Sequence, residues 1–262
     1  MRNAWCLLGI FAGGCGGCSE PPVQSGVVKD VFGHPLEGAT VIMEGVLEQK
    51  LTNAQGEFTF PRQKTSMRIT AGKKGYIKDT ELATPPVEED EDAPPVQLAL
   101  YPDPPEKGFY EVGRDGYTKL EPRQIYVVGT ELKSISGLRE TSEETLGHND
   151  GPTRFVFSSS LRPSEIAQLD LKMHHLDFVD TIDVPGVLGK EPVTANLWVA
   201  NRPVQFELEQ LATEDDYLIT TREPLVGGAY AFHTGGVLTS KDVRVQNTLP
   251  KELQFAYAFD MR

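Results

Sequence analysis

The sequence predicts an all-β protein: an N-terminal Greek-key β-sandwich followed by a second β-rich sandwich or barrel. Three observations carry that expectation. Apolar and polar side chains alternate with a period of two in segment after segment, the pattern of half-buried strands. Clusters of Gly, Pro, Asn and Asp separate those segments, as turns do. Only residues 163–169 have the composition of a helical turn.

The chain begins with a short basic segment, Met1-Arg2-Asn3, and nine largely apolar residues at 4–12. A helix needs about 20 apolar residues to cross a bilayer, so this stretch is too short to span and suits the apolar region of a signal peptide. Small residues follow as Ala12-Gly13-Gly14-Cys15. This run resembles the lipobox of bacterial lipoproteins, in which the cysteine is lipidated and becomes the first residue of the mature chain. Ala12 stands where that motif usually has leucine, and Cys18, after Gly16-Gly17, is a second candidate. The resemblance implies a signal peptide over 1–14, a lipid on Cys15 and attachment to a membrane through it. Gly16, rather than an aspartate, follows the cysteine, which by the same resemblance points to an outer membrane. The cysteines agree with this reading. Cys6, Cys15 and Cys18 are the only three, so no disulfide framework lies in the body of the chain.

Residues 15–24 read as a tether whose ten or so residues span at most about 35 Å. From 25 to 101 the alternation is regular. Ala39, Val41 and Met43 oppose Thr40, Ile42 and Glu44; Phe58 and Phe60 bracket Thr59; Met67, Ile69 and Ala71 alternate with Arg68 and Thr70; Val96, Leu98 and Leu100 close the series. Turn sequences separate them: Phe32-Gly33-His34-Pro35, Asn53-Ala54-Gln55-Gly56 and Gly72-Lys73-Lys74-Gly75. These features predict an antiparallel sandwich. Gly33 and Gly56 supply turn conformations that favour glycine, and Gly38-Ala39 opens a strand where small residues let the sheets approach.

Four motifs fall in order here: Gly26-Val27-Val28-Lys29-Asp30, then Gly33-His34-Pro35-Leu36-Glu37-Gly38-Ala39-Thr40-Val41, then Thr52-Asn53-Ala54-Gln55-Gly56-Glu57-Phe58, then Lys74-Gly75-Tyr76. Together they resemble the carboxypeptidase regulatory-like domain, a small transthyretin-like sandwich. The resemblance covers about 75 residues and leads to the expectation of a spacer or adhesive module.

Residues 84–95 form an acidic, proline-flanked loop containing Glu88-Glu89-Asp90-Glu91-Asp92, which reads as a solvated insertion. Residues 102–107 (PDPPEK) read as a polyproline-like hinge. Residues 108–262 form the second β-rich domain, of no recognised family. Its alternating runs are Val193, Ala195, Leu197 and Val199; Val204, Phe206 and Leu208; Tyr230 and Phe232; and Leu253, Phe255, Tyr257 and Phe259.

A formal charge of −13 opposes binding to nucleic acid and to anionic headgroups. The candidate chemistry is sparse. His34 and Glu37 have the H-x-x-E spacing of zinc carboxypeptidase ligands, but they sit in a turn motif. His174-His175, with Asp177, Asp180 and Asp183, is the densest ligand cluster. Adjacent strand residues face opposite ways, so the two histidines do not share a metal, although His175, Asp177 and Asp183 fall on one face. His148-Asn149-Asp150-Gly151 has loop composition. Ser158-Ser159-Ser160 lacks the strand–turn–helix frame of a nucleophile elbow, and Gly235-Gly236 lacks a phosphate-loop lysine. Trp198 and Tyr217 are the aromatics able to stack on sugar rings. The sequence therefore predicts no catalytic residue, no metal and no cofactor. It predicts a membrane-anchored, non-enzymatic binding or structural module of the cell envelope, with an envelope protein or glycan as partner. A carbohydrate-binding surface protein and a hydrolase with its site in 108–262 are the alternatives.

Overall fold

A computed structural model describes residues 22–85, 93–142, 145–147, 151–187, 189–235, 238 and 253–262. The predicted signal segment with Cys6, Cys15 and Cys18, the acidic run at 88–92, residues 148–150 and Gly236 lie outside the described residues. The protein is all-β, as its patterning predicts. No helix among the described residues is long and apolar enough to cross a membrane.

Seven strands come from the first hundred residues: β1 (Val23–Asp30), β2 (Thr40–Met43), β3 (Lys50–Leu51), β4 (Glu57–Pro61), β5 (Met67–Gly72), β6 (Asp79–Ala83) and β7 (Ala93–Leu100). They form two sheets, ordered β4-β1-β7 and β3-β2-β5-β6. The inward set is the one the alternation marks. Val41, Met43, Phe58, Phe60, Ile69, Ala71, Leu98 and Leu100 are buried between the sheets, while Ile42 and Thr59 face out. Each large apolar side chain fully buried this way stabilises the fold by roughly 1.5–3 kcal/mol.

The turns follow local chemistry. Asn53 Oδ1 accepts from the backbone N–H of Gln55 (3.0 Å) and Glu57 (2.8 Å), and Gly56 at φ 76° completes the turn. A Cβ on Gly56 would collide with the Val28 carbonyl, so space and φ both demand glycine there. The hydroxyl of Thr52 donates to the Leu36 carbonyl and accepts from the Ala39 N–H at 2.9 Å, tying two motifs together.

Several expectations give way in this region. The sandwich is not wholly antiparallel, because β1 and β7 pair in parallel. They are the first and last strands, and the passage through the other sheet supplies the long connection a parallel pair needs. β1 starts at Val23, inside the predicted tether. Pro94 and Pro95, read as loop flanks, lie within β7. Proline gives the ladder no N–H, and the register slips by one residue there; the buried Gln24 side chain donates to the Pro94 carbonyl at 2.9 Å. Gly38 has open space around its Cβ position, so its φ of 69° calls for glycine and sheet approach does not. Residues 102–107 are pinned on both sides. Asp103 N–H donates to the Gly75 carbonyl (2.9 Å), Tyr117 Oη to the Pro102 carbonyl (3.0 Å), and Lys107 Nζ lies 2.6 Å from Asp215 Oδ2.

The remaining strands are β8 (Gly108–Val112), β9 (Tyr117–Lys119), β10 (Pro122–Arg123), β11 (Ile125–Gly129), β12 (Ser134–Leu138), β13 (Thr145–Leu146), β14 (Arg154–Ser158), β15 (Leu171–Gly186), β16 (Gly189–Val204), β17 (Phe206–Gln210), β18 (Asp216–Thr221), β19 (Gly228–Thr234) and β20 (Ala256–Met261). One short helix, α1 (Pro163–Gln168), falls where the sequence places a helical turn. A five-stranded sheet, β17-β18-β14-β8-β9, faces a larger one, β10-β20-β19-β15-β16-β12-β11, whose β20 also pairs β13. Aromatic rings fill the space between them. Phe109 stacks on Phe232 at 4.9 Å and Phe155 packs on Phe259 at 5.2 Å.

Strand β19 departs from simple alternation. Tyr230 and Phe232 join the aromatic core, and Ala229 and Ala231 are buried in a second cluster with Leu138, Leu176 and Ala258 on the opposite face. The run from Leu253 becomes strand only at Ala256.

The long hairpin β15–β16 positions everything that follows. Each strand has 16 residues, and β16 twice carries two residues against one of β15. One bulge includes Asn196, whose φ of 48° lies in the left-handed region; the other places Asn201 and Arg202 opposite His175. Bulges of this kind bend the strand and re-aim its side chains.

Candidate functional site

The candidates from the first sandwich resolve into turn chemistry. Asp30 Oδ1 accepts from the N–H of Phe32 (3.0 Å) and His34 (2.9 Å), and Asp30 Oδ2 lies 3.1 Å from His34 Nδ1. The exposed His34 ring thus decorates a carboxylate-capped turn, and Glu37 is exposed beyond it. Ser158 and Ser159 are buried; Ser159 Oγ accepts from the Leu161 N–H at 3.2 Å and holds the approach to α1. Tyr217 is buried too, its hydroxyl donating to the Leu161 carbonyl at 3.1 Å, so it offers no ring face to a sugar. Gly235 packs its backbone N–H on the Asp170 carbonyl at 2.8 Å.

His174 and His175 do face opposite ways. His174 Nδ1 lies 2.8 Å from His233 Nε2 with the rings stacked, and His233 Nδ1 lies 2.9 Å from the Thr234 carbonyl. A carbonyl only accepts, so His233 carries its proton on Nδ1 and presents Nε2 to the Nδ1–H of His174. Burial pushes His233 down to about 4, against the opposing Thr234 hydrogen bond, and also lowers His174. The two form a neutral, hydrogen-bonded pair at ordinary pH.

His175 turns to Tyr230, edge to face at 5.2 Å, and rests on Gly228, where a Cβ would come within 2.6 Å of its Nε2. Its Nδ1 stands 3.3 Å from Asp177 Oδ1, so these two share a face as the alternation requires. Asp183 lies beyond the Asn196 bulge. Among the described residues no group of three or more His, Cys, Asp or Glu is placed to hold a metal ion.

A cleft of about 620 Å³ opens where the hairpin passes the Gly228 end of β19 and the Met261 end of β20. Phe178 and Trp198 are direct cross-strand partners, their rings 5.3 Å apart and tilted by 57°. Phe178 is 50% exposed, and Trp198 is half-buried with its inner part against the Leu138 cluster. Asp260 and Arg262 line the same cleft, as do His175 and Asp177, which project from the other face of β15. Both carboxylates are fixed: Asp177 Oδ2 accepts from Asn201 Nδ2, and Asp260 Oδ2 from Thr141 Oγ1 at 2.8 Å. Asn201 reaches Asp177 from the bulge. The arrangement offers apolar ring surface edged by oriented acceptors and one cation, which suits a ligand with alternating C–H faces and hydroxyls.

Sequence patterning singles out Trp198, His175 and Asp177, and the structure brings all three to one cleft. It does not single out Phe178, Asp260 or Arg262. Phe178 becomes Trp198's partner only through the hairpin register, and the other two come from the far end of the chain. No family model matches this chain, and no curated protein matches it.

Proposed function

We propose that this chain is a bacterial cell-envelope lipoprotein, anchored through a lipid on Cys15, that binds envelope glycan in the Trp198 cleft without chemically altering it. The observation that carries the binding reading is the Phe178–Trp198 pair, held partly exposed in a cleft that the oriented carboxylates of Asp177 and Asp260 also line. Leaving such rings in water forgoes the roughly 1.5–3 kcal/mol that burying them would contribute, and a ligand that stacks on them recovers part of it. The anchor reading rests on the basic start, the short apolar run and the small residues before Cys15. Two or more acyl chains there give stable attachment, whereas one holds only marginally. The first sandwich serves as the module next to the membrane. Its resemblance to carboxypeptidase regulatory-like domains is supported by the way Thr52, Asn53 and Gly56 form one knitted turn.

Cosedimentation of the full-length protein with purified peptidoglycan sacculi tests the binding reading. Wild type is expected in the pellet, with Trp198→Ala weakened by about tenfold, a change of about 1.4 kcal/mol. Wild type remaining in the supernatant, or Trp198→Ala pelleting equally, contradicts it. The anchor is tested separately by mass spectrometry of the mature N-terminus. A diacylated or triacylated Cys15 is expected, and Cys15→Ser leaves the membrane fraction or accumulates as precursor. An unmodified Cys15 ends that reading.

A further inference from the structure

The bulge that sends Asn201 to Asp177 also places Arg202, and Arg202 enters a different cavity. This second space, of about 550 Å³, lies between the end of β16 and the loop 222–226, with His175 and Tyr230 as its wall. The loop is firmly held. Arg222 N–H donates to the Gln205 carbonyl at 3.0 Å, and the Tyr230 hydroxyl donates to the Val226 carbonyl at 2.9 Å. Pro203, Val204, Pro224 and Leu225 give the cavity an apolar lining, and Leu225 is itself buried against the aromatic core.

Two guanidinium groups, Arg202 and Arg222, stand at this lining with one carboxylate, Glu223. Arg222 is shared with Glu207, its Nε 3.5 Å from Oε1. Arg202 has no carboxylate partner among the described residues. Its charge reaches the Tyr230 hydroxyl on the cavity wall. Arg202 is exposed, and what sets it apart is its place at the rim of an apolar cavity, where its guanidinium is free to meet an anion.

We propose that this cavity binds a carboxylate carried on a small apolar group. The Arg202 guanidinium takes the carboxylate through paired N–H donors, a geometry for which arginine is built, and the apolar group lies on Leu225 and the two prolines. The site is separate from the glycan cleft, sharing only the His175 ring between them. The carboxylate has two chemical sources, a peptide chain end or a free aliphatic acid.

Titration of the full-length protein, followed by NMR, with N-acetyl-leucine, hexanoate, N-acetyl-leucinamide and inorganic phosphate tests the proposal. Both acids are expected to bind, with the amide and phosphate weaker by about tenfold or more, the size of a charge-assisted contact. Tighter binding of N-acetyl-leucine assigns a peptide chain end; tighter binding of hexanoate assigns a free acid. Arg202→Gln, an exposed substitution, is expected to lose about tenfold for either acid with its thermal transition intact, and Trp198→Ala is expected to bind both acids as wild type does. Equal binding of phosphate or of the amide, binding unaffected by Arg202→Gln, or no binding of either acid overturns the proposal. Because glycan pelleting is read through Trp198, failure here leaves that reading standing, and the reverse also holds.

Discussion

In the first sandwich every long strand gives one face to the core and the other to water, and its polar side chains are spent on turns. Asp30 caps one turn, Asn53 another, and Thr52 ties strand to strand. The second sandwich is built differently. Its inner strand β19 is buried on both faces, its longest hairpin is interrupted by two bulges, and polar groups such as His233 lie inside it. The comparison teaches where a β-protein keeps residues free for binding. Regular alternation commits each side chain to core or solvent, whereas a bulge releases one residue from the ladder and points its neighbours somewhere new. Here those neighbours are Asn201 and Arg202, and both border a cavity or orient a residue that does.

The sharpest way to break this contrast is to remove one phenylalanine from each region. Phe60 is fully buried in the first sandwich, and Phe60→Ala is expected to cost about 3–5 kcal/mol of stability. Phe178 is half exposed, and Phe178→Ala is expected to stay within about 1 kcal/mol while glycan binding falls. Chemical denaturation of the two variants checks both values. A large stability loss for Phe178→Ala would make that ring ordinary core.

Acid separates the two regions next. His233 is neutral and buried in the second sandwich, with its folded value near 4 against about 6.5 unfolded. The unfolded chain therefore binds the extra proton first. The stability linked to this group is complete above about pH 6.5 and is lost as the pH falls towards 4, by on the order of 2–3 kcal/mol. His174, Lys172 and Asp170 surround it, and all four belong to the second sandwich. Burial raises the Glu111 carboxyl and acts in the opposite sense, with stability lost as the pH rises through its folded value. The informative quantity is therefore the difference between wild type and His233→Gln, measured from pH 7 to pH 4. Wild type is expected to lose the additional stability and the variant to lack that slope. Parallel curves would contradict a neutral buried His233.

Much of the first sandwich was legible because one rule governs it. Val41, Met43, Phe58, Phe60 and Leu98 announce their burial by spacing alone, and turns at Gly33 and Gly56 announce their backbone. Strand direction was not legible, since alternation is the same for parallel and antiparallel pairs, and so the β1–β7 pairing went unseen. Of the candidate cleft, the shared face of His175 and Asp177 follows from period two. The meeting of Phe178 with Trp198 does not, because it depends on a register set by bulges that leave no mark in composition. Asp260 and Arg262 arrive through the pairing of β20 with β19, which links residues distant in sequence and equally silent in local pattern.

The emission of Trp198 tests the central claim most directly. The chain has two tryptophans, Trp5 and Trp198, and a protein produced from Cys15 onward carries only the second. That shortened protein reports from the cleft alone. Titration with soluble peptidoglycan oligosaccharides is expected to shift or enhance the emission saturably, and Phe178→Ala is expected to weaken that response by about tenfold. Oligosaccharide binding that leaves the emission unchanged would place the ligand elsewhere, and an absence of binding at millimolar sugar would contradict the account.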